Sequence, residues 1–192
     1  MGVTAWWASA LGDYYTNAMA TLVLLKGQAG VGKTTLARDL QGALGWQYIA
    51  RDDIKEALVR AGCCPESELG KQSYDRLWGQ LEDSLSEGIS VISDTNLNQP
   101  IALKHIEDMV AKTRAKVVVL SCYCDVSIHK TRLEGRKHQG LPSFWIDSWD
   151  RYQAYLQSDD NHGEFELPYP AIQVDTGQAV DFKVLAQRIN SV

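Results

Sequence analysis

Residues 21–34 read TLVLLKGQAGVGKT. A short apolar run, Thr21–Leu25, feeds a glycine-rich loop, and a helical pattern begins at Lys33. Gly27, Gly30 and Gly32 permit backbone conformations that side chains forbid. Loop N–H groups can then converge on phosphate, assisted by the positive end of the following helix. At this spacing Lys33 reaches the β- and γ-phosphates, and the Thr34 hydroxyl is the expected Mg²⁺ ligand. The expected ATP-binding residues here are Gly27, Gly30, Gly32, Lys33, Thr34 and Thr35. A GTPase would also carry an Asn-Lys-x-Asp motif to read its base, and the sequence has none.

Outward from the loop, strand and helix alternate. Lys33–Leu44 is a helix with Gly45 as its stop, and Gln47–Ala50 is a second strand. Asp53 and Glu56 have the spacing of a capping box for the next helix. A helix over about 67–87 gathers Tyr74, Leu77, Trp78, Leu81 and Leu85 on one face. Ile89–Ser93 is a third strand, and Pro100 opens a helix over 100–113. Lys116–Tyr123 is β-branched and nearly continuous, as suits a strand covered on both faces. Asp125–Leu133 reads as helix, and 143–157 as another, with Trp145, Trp149, Tyr152 and Leu156 on one stripe. Ala171–Val174 is the fifth strand and 179–190 the closing helix. The expected fold is a three-layer α/β sandwich around a five-stranded, mainly parallel sheet. Residues 1–20 stand apart as an N-terminal arm; 21–192 form the domain, with a lid around 129–142.

A chain of 192 residues suits one domain with a genuine core. No uncharged apolar stretch approaches the roughly 18–20 residues that span a bilayer, and a basic leader is missing. A cytoplasmic location without a membrane partner is expected. The net charge of −5 argues against coating long nucleic acid, but leaves room for a strand end held by a few cations. Cys63-Cys64 and Cys122-x-Cys124 lack the Cys-x2-Cys spacing of a zinc site.

Phosphoryl transfer needs a positioned acceptor, often a base for its proton, and cations against the developing charge. Three segments offer them. In Arg51-Asp52-Asp53, helix capping accounts for Asp53 and leaves Asp52 as the candidate general base. At the end of the third strand, Asp94 can orient an acceptor, brace a cation or hold Mg²⁺ through water. Thr95 and Asn96 add neutral hydrogen-bonding groups beside it. In the third segment Arg132 and Arg136 are four apart, on one face if the helix continues, and Gly135 and Gly140 suggest a hinge. The stripe of Trp145, Trp149 and Tyr152 reads as core, or alternatively as the wall of a small-acceptor pocket. Asp175-Thr176-Gly177 has the look of an aspartic protease triplet. That chemistry needs two such carboxylates, so it is read as a strand end.

Together these segments resemble the 5′-kinase domain of phage-type polynucleotide kinase, within the wider P-loop kinase family, over roughly residues 21–157. The resemblance implies a P-loop kinase-like fold using ATP and Mg²⁺. It implies Asp52 as base, Asp94 in the acceptor clamp, and Arg132 and especially Arg136 on ATP phosphates. The implied acceptor is the 5′-OH end of RNA or DNA. Lys55 stands where that family commonly has an arginine for the acceptor's 3′-phosphate; lysine keeps the charge and loses the bidentate fork. That departure, with the acidic charge, keeps open a small-molecule acceptor such as a sugar, nucleoside or antibiotic.

Overall fold

Successive residues of the first strand fill opposite sides of a sheet. Leu22 and Leu24 enter one apolar core, Val23 and Leu25 the other, and all four are fully buried. A strand covered on both faces explains the unbroken apolar run. The computed structural model describes residues 19–95, 97, 100–136, 146–158 and 166–192. Residues 1–18 of the expected arm, Asn96, positions 137–142 of the expected lid, and Trp145 lie outside the described residues.

The elements are β1 (Thr21–Lys26), α1 (Lys33–Leu44), β2 (Gln47–Ala50), α2 (Arg51–Ala61), α3 (Glu66–Ser86), β3 (Val91–Asp94), α4 (Pro100–Thr113), β4 (Lys116–Tyr123), α5 (Val126–Glu134), α6 (Trp149–Leu156), β5 (Ala171–Asp175) and α7 (Phe182–Ser191). The five strands run parallel in the order β2-β3-β1-β4-β5. From β1 the chain moves out to β2, returns to β3, then crosses to β4 and β5. The order reverses beside β1, and ligands of such sheets bind at the carboxyl ends at that point. The phosphate loop occupies it.

Helices α3 and α4 cover one face, where Leu77, Leu81, Ile106 and Met109 meet Leu22, Leu24 and Val119. Helices α1 and α7 cover the other through Leu36, Leu40, Leu185 and Ile189. Gly45 ends α1 in a left-handed conformation, its N–H donating to Gln41 O at 2.8 Å. That is the stop read from the sequence.

Three local expectations are corrected. Helix α2 begins at Arg51, and its N-cap, Ala50, makes no side-chain cap hydrogen bond, so the Asp53–Glu56 capping box does not form. Both Asp52 and Asp53 therefore sit inside the first turn. Helix α5 stops at Glu134, leaving Arg136 past its end rather than on a continuing face with Arg132. The helix read over 143–157 starts only at Trp149, where Ser148 caps it by accepting from Arg151 N.

Candidate active site

The phosphate loop is shaped by its neighbour strand. Gly27 has φ +147°, and a Cβ there would stand 2.5 Å from the carbonyl oxygen of Cys122 on β4. Only glycine lets the loop leave β1 so close to that strand. Gly32 caps α1 and accepts from Leu36 N at 3.0 Å. Lys33 folds back over the loop, its Nζ donating to Gly27 O at 2.9 Å and Gln28 O at 3.1 Å. Thr34 points the other way, and its hydroxyl donates to Asp94 Oδ2 at 2.6 Å. Thr35 is exposed on the outer side of the turn.

Strand pairing brings the acidic groups together. Asp94 ends β3 in register with Leu25 of β1 and Ala50 of β2. The chain turns into α2 directly after Ala50, which sets Asp52 beside Asp94. Asp52 lies in a cleft that solvent reaches, with protein on most other sides. Burial raises its pKa first and the Asp94 charge second, while Arg51, Lys33 and Lys55 pull it down. Arg136 faces both carboxylates. Burial lowers its pKa, Asp52 and Asp94 oppose that, and Nη1 donates to Ile146 O at 3.4 Å. Base candidate, strand-end carboxylate, loop lysine and arginine thus share one cleft.

A second group lies along α2 and α3. Arg51 donates from Nε to Ser73 Oγ at 3.1 Å, and its guanidinium stands 3.9 Å over the Tyr74 ring. Lys55 is close enough to Arg51 that its pKa is lowered, by burial first and by that like charge second. Ser93 and Thr95 alternate with Asp94, facing the core side that holds Tyr74. Their hydroxyls are buried without a hydrogen-bond partner among the described residues. Tyr74 reaches Thr95 in a contact short of hydrogen-bond geometry. Orphaned buried hydroxyls at a strand end suit a ligand that supplies their partners.

On the opposite side of the loop, Arg132 donates from Nη1 to Val31 O at 2.7 Å and from Nη2 to Thr176 O at 2.6 Å. The Thr176 hydroxyl also donates to Val31 O. A cavity of about 570 Å³ opens there, lined by Gly30, Gly32, Thr35, Arg132, Val180 and Phe182 among others. It has the size and the mixed apolar and polar lining of a nucleoside pocket.

The structure therefore gathers Lys33, Asp52, Asp94 and Arg136 around one cleft, with Thr34 bonded to Asp94 and Lys55 at the α2 side. Gly30 and Gly32 line the cavity beside Arg132, Gly27 abuts β4 and Thr95 is buried toward Tyr74. Arg132 and Arg136 both line the cavity beside the loop, but Arg132 is bonded to Val31 O and Thr176 O, whereas Arg136 also lies near Asp52 and Asp94. Trp149 and Tyr152 pack on His129 of α5, which is the core reading of that stripe. Asp175 does end a strand, but sequence reading missed that Thr176 clamps the loop. It also missed Tyr48, whose buried hydroxyl lies near Thr34 and Asp94 and whose pKa is raised by burial, then by Asp94 and Asp53. All four cysteines are free, and burial pushes the Cys122 thiol up to about 12, an inert state. Among the described residues no cluster of three or more metal-ligating side chains occurs. Among them, too, no helix is long and apolar enough to cross a membrane.

A family model described as an AAA domain matches residues 22–157. Among solved structures, a provisionally assigned kinase from Chloroflexus aurantiacus is similar over 90% of this chain and 98% of its own, with TM-score 0.75 and 19% identity. A sugar kinase from Janibacter matches over 90% and 93%, at TM-score 0.57 and 17% identity. A gluconokinase from Sinorhizobium meliloti matches over 90% of both chains, at 0.51 and 14%. At these identities the likeness establishes the fold.

Proposed function

The chain belongs to this AAA domain family, a family of P-loop kinases, and on that premise we propose that it transfers the γ-phosphate of ATP to a hydroxyl of a small acceptor bearing an anionic group. The observation that carries the reading is the convergence of Asp52, Asp94, Lys33 and Arg136 at the mouth of the phosphate loop. Asp52 takes the proton of the acceptor hydroxyl as its oxygen bonds to the γ-phosphorus. The bond from that phosphorus to the β–γ bridging oxygen breaks, and ADP leaves with the electron pair. Lys33 and Arg136 supply positive charge to the phosphoryl oxygens. The loop N–H groups hold the other phosphates, and the cavity beside Arg132 takes the nucleoside.

Thr34 and Asp94 offer one hydroxyl and one carboxylate oxygen, hard donors of the kind magnesium takes when phosphates and water complete its shell. A bound Mg²⁺ would neutralise phosphate charge there.

Arg51 and Lys55 shape the acceptor reading. A lysine whose pKa is lowered by burial and by a neighbouring arginine is stabilised by an anion bound beside the two. Sugar acids and sugar phosphates carry such a group near their hydroxyls, which agrees with the sugar kinase and gluconokinase folds. A 5′-OH end of RNA or DNA is the second reading. The adjacency of Arg51-Asp52-Asp53 to Ser93-Asp94-Thr95 favours it, with Lys55 taking the neighbouring phosphate.

The test is γ-labelled ATP with Mg²⁺ and a panel of sugar acids, sugar phosphates, nucleosides and 5′-OH oligonucleotides. Label on an anionic small molecule is expected. Label on oligonucleotides alone would establish the second reading, and label on neither, despite ATP binding, would overturn both.

A further inference from the structure

We infer that His129 is a positioning residue that aims the phosphate loop's N–H groups, a role that rests on the nucleotide-binding reading above. Its ring Nε2 lies 2.6 Å from the carbonyl oxygen of Ala29. A carbonyl only accepts, so Nε2 carries the proton and donates. The ring has little freedom to do otherwise. It is 7% exposed, and stands edge-on to Tyr152 at 4.8 Å and to Trp149 at 5.6 Å between centroids. Helix α6, which brings both aromatics, is itself tied to α5, because Trp149 N donates to Glu134 Oε1 at 2.9 Å.

The geometry of the peptide unit gives this contact its consequence. In a trans peptide the C=O of one residue and the N–H of the next point in opposite directions. Drawing Ala29 O toward α5 therefore turns Gly30 N–H the other way, away from α5. One turn further along α5, Arg132 does the same to Val31 O and hence to Gly32 N–H. Leu133 fills the space between them: a Cβ on Gly30 would lie 2.5 Å from Leu133 Cδ2. A single turn of α5 thus grips Ala29, Gly30 and Val31 in succession. His129 sets the first of those peptides and touches no reacting atom.

The experiment is the dissociation constant for ATP·Mg²⁺, by calorimetry, with thermal unfolding in parallel. His129→Phe keeps the aromatic packing and deletes the donor. His129→Gln can place its amide N–H where Nε2 stood. Phe should weaken ATP binding by about 3–10-fold, the size of one lost hydrogen bond, with little change in Tm. Gln should restore most of the affinity. A purely packing role predicts the reverse, with Phe harmless and Gln disruptive. Unchanged affinity in Phe, or Gln as weak as Phe, overturns the inference. Should Phe not fold, His129→Met against His129→Gln makes the same comparison, and equal affinities there overturn it too. Absence of ATP binding by the unaltered protein is a separate outcome, which removes the nucleotide-binding reading and this inference with it.

Discussion

Thr34 donates a 2.6 Å hydrogen bond to Asp94, joining the first turn of α1 to the end of β3 across 60 residues of sequence. Asp94→Asn preserves the shape and removes the charge, so the Mg²⁺ requirement should rise by about 10–100-fold. Thr34→Ala should move it the same way, and Thr34→Ser should recover it. Rate against Mg²⁺ concentration at saturating ATP checks this; an unmoved midpoint would detach the pair from the metal.

Asp52→Asn should cut turnover by about 10²–10⁴-fold while sparing ATP affinity. Burial and Asp94 raise the Asp52 pKa, so the acid limb of kcat/KM should lie above the ordinary carboxylate range. The sign for stability follows. The folded chain binds this proton more tightly than the unfolded chain, so stability falls as pH rises from the usual carboxylate pKa through the raised folded value. Asparagine removes that cost above the window and changes nothing below it. Because solvent reaches Asp52, the gain in Tm at neutral pH should be small.

Lys55→Met removes a cation that lowers the Asp52 pKa, so the same acid limb should shift upward. The acceptor KM should rise with it, by about 10-fold for one lost charge-assisted hydrogen bond, while the KM for ATP stays put. Initial rates over a pH series, with each substrate varied in turn, separate these effects. A raised ATP KM with no change for the acceptor would move Lys55 out of the acceptor site.

The two arginines should fail differently. Arg136→Met should lower kcat by about 10²–10³-fold, as expected when charge stabilisation at the transferring group is lost. Arg132→Met should instead raise the ATP KM and lower Tm, since Val31 O and Thr176 O lose their donors. Arg132→Lys should not rescue, because one ammonium lacks the fork that serves two carbonyls. Steady-state kinetics and thermal melts report both variants.

Gly27→Ala should destabilise the fold by about 2 kcal/mol or more, since the added carbon meets Cys122 O and the φ of +147° is strained for alanine. Chemical denaturation measures it.

The phosphate loop and the strands were legible because their signals are local: glycine spacing, apolar runs and turn residues fall within a few positions of one another. Asp52 and Asp94 were legible as chemistry left unexplained by folding, although the capping argument that singled out Asp52 was wrong in detail. Helix α2 starts two residues before Asp53, and both aspartates share its first turn. Asp53 lies toward Tyr48, and Asp52 toward Asp94. His129 and Thr176 were not legible for a different reason. Their partners are main-chain carbonyls 100 and 145 residues away, and a carbonyl is present at every position, so no residue type marks the match.

The clasp of Arg132 and Thr176 on Val31 also has a meaning for synthesis. The loop leaves the ribosome early, but the groups that brace it emerge only with α5 and then with the turn after β5. A growing chain carries the phosphate-loop sequence long before it carries a braced phosphate loop. The brace on Val31 O can therefore form only after β5 and the turn that follows it have been synthesised.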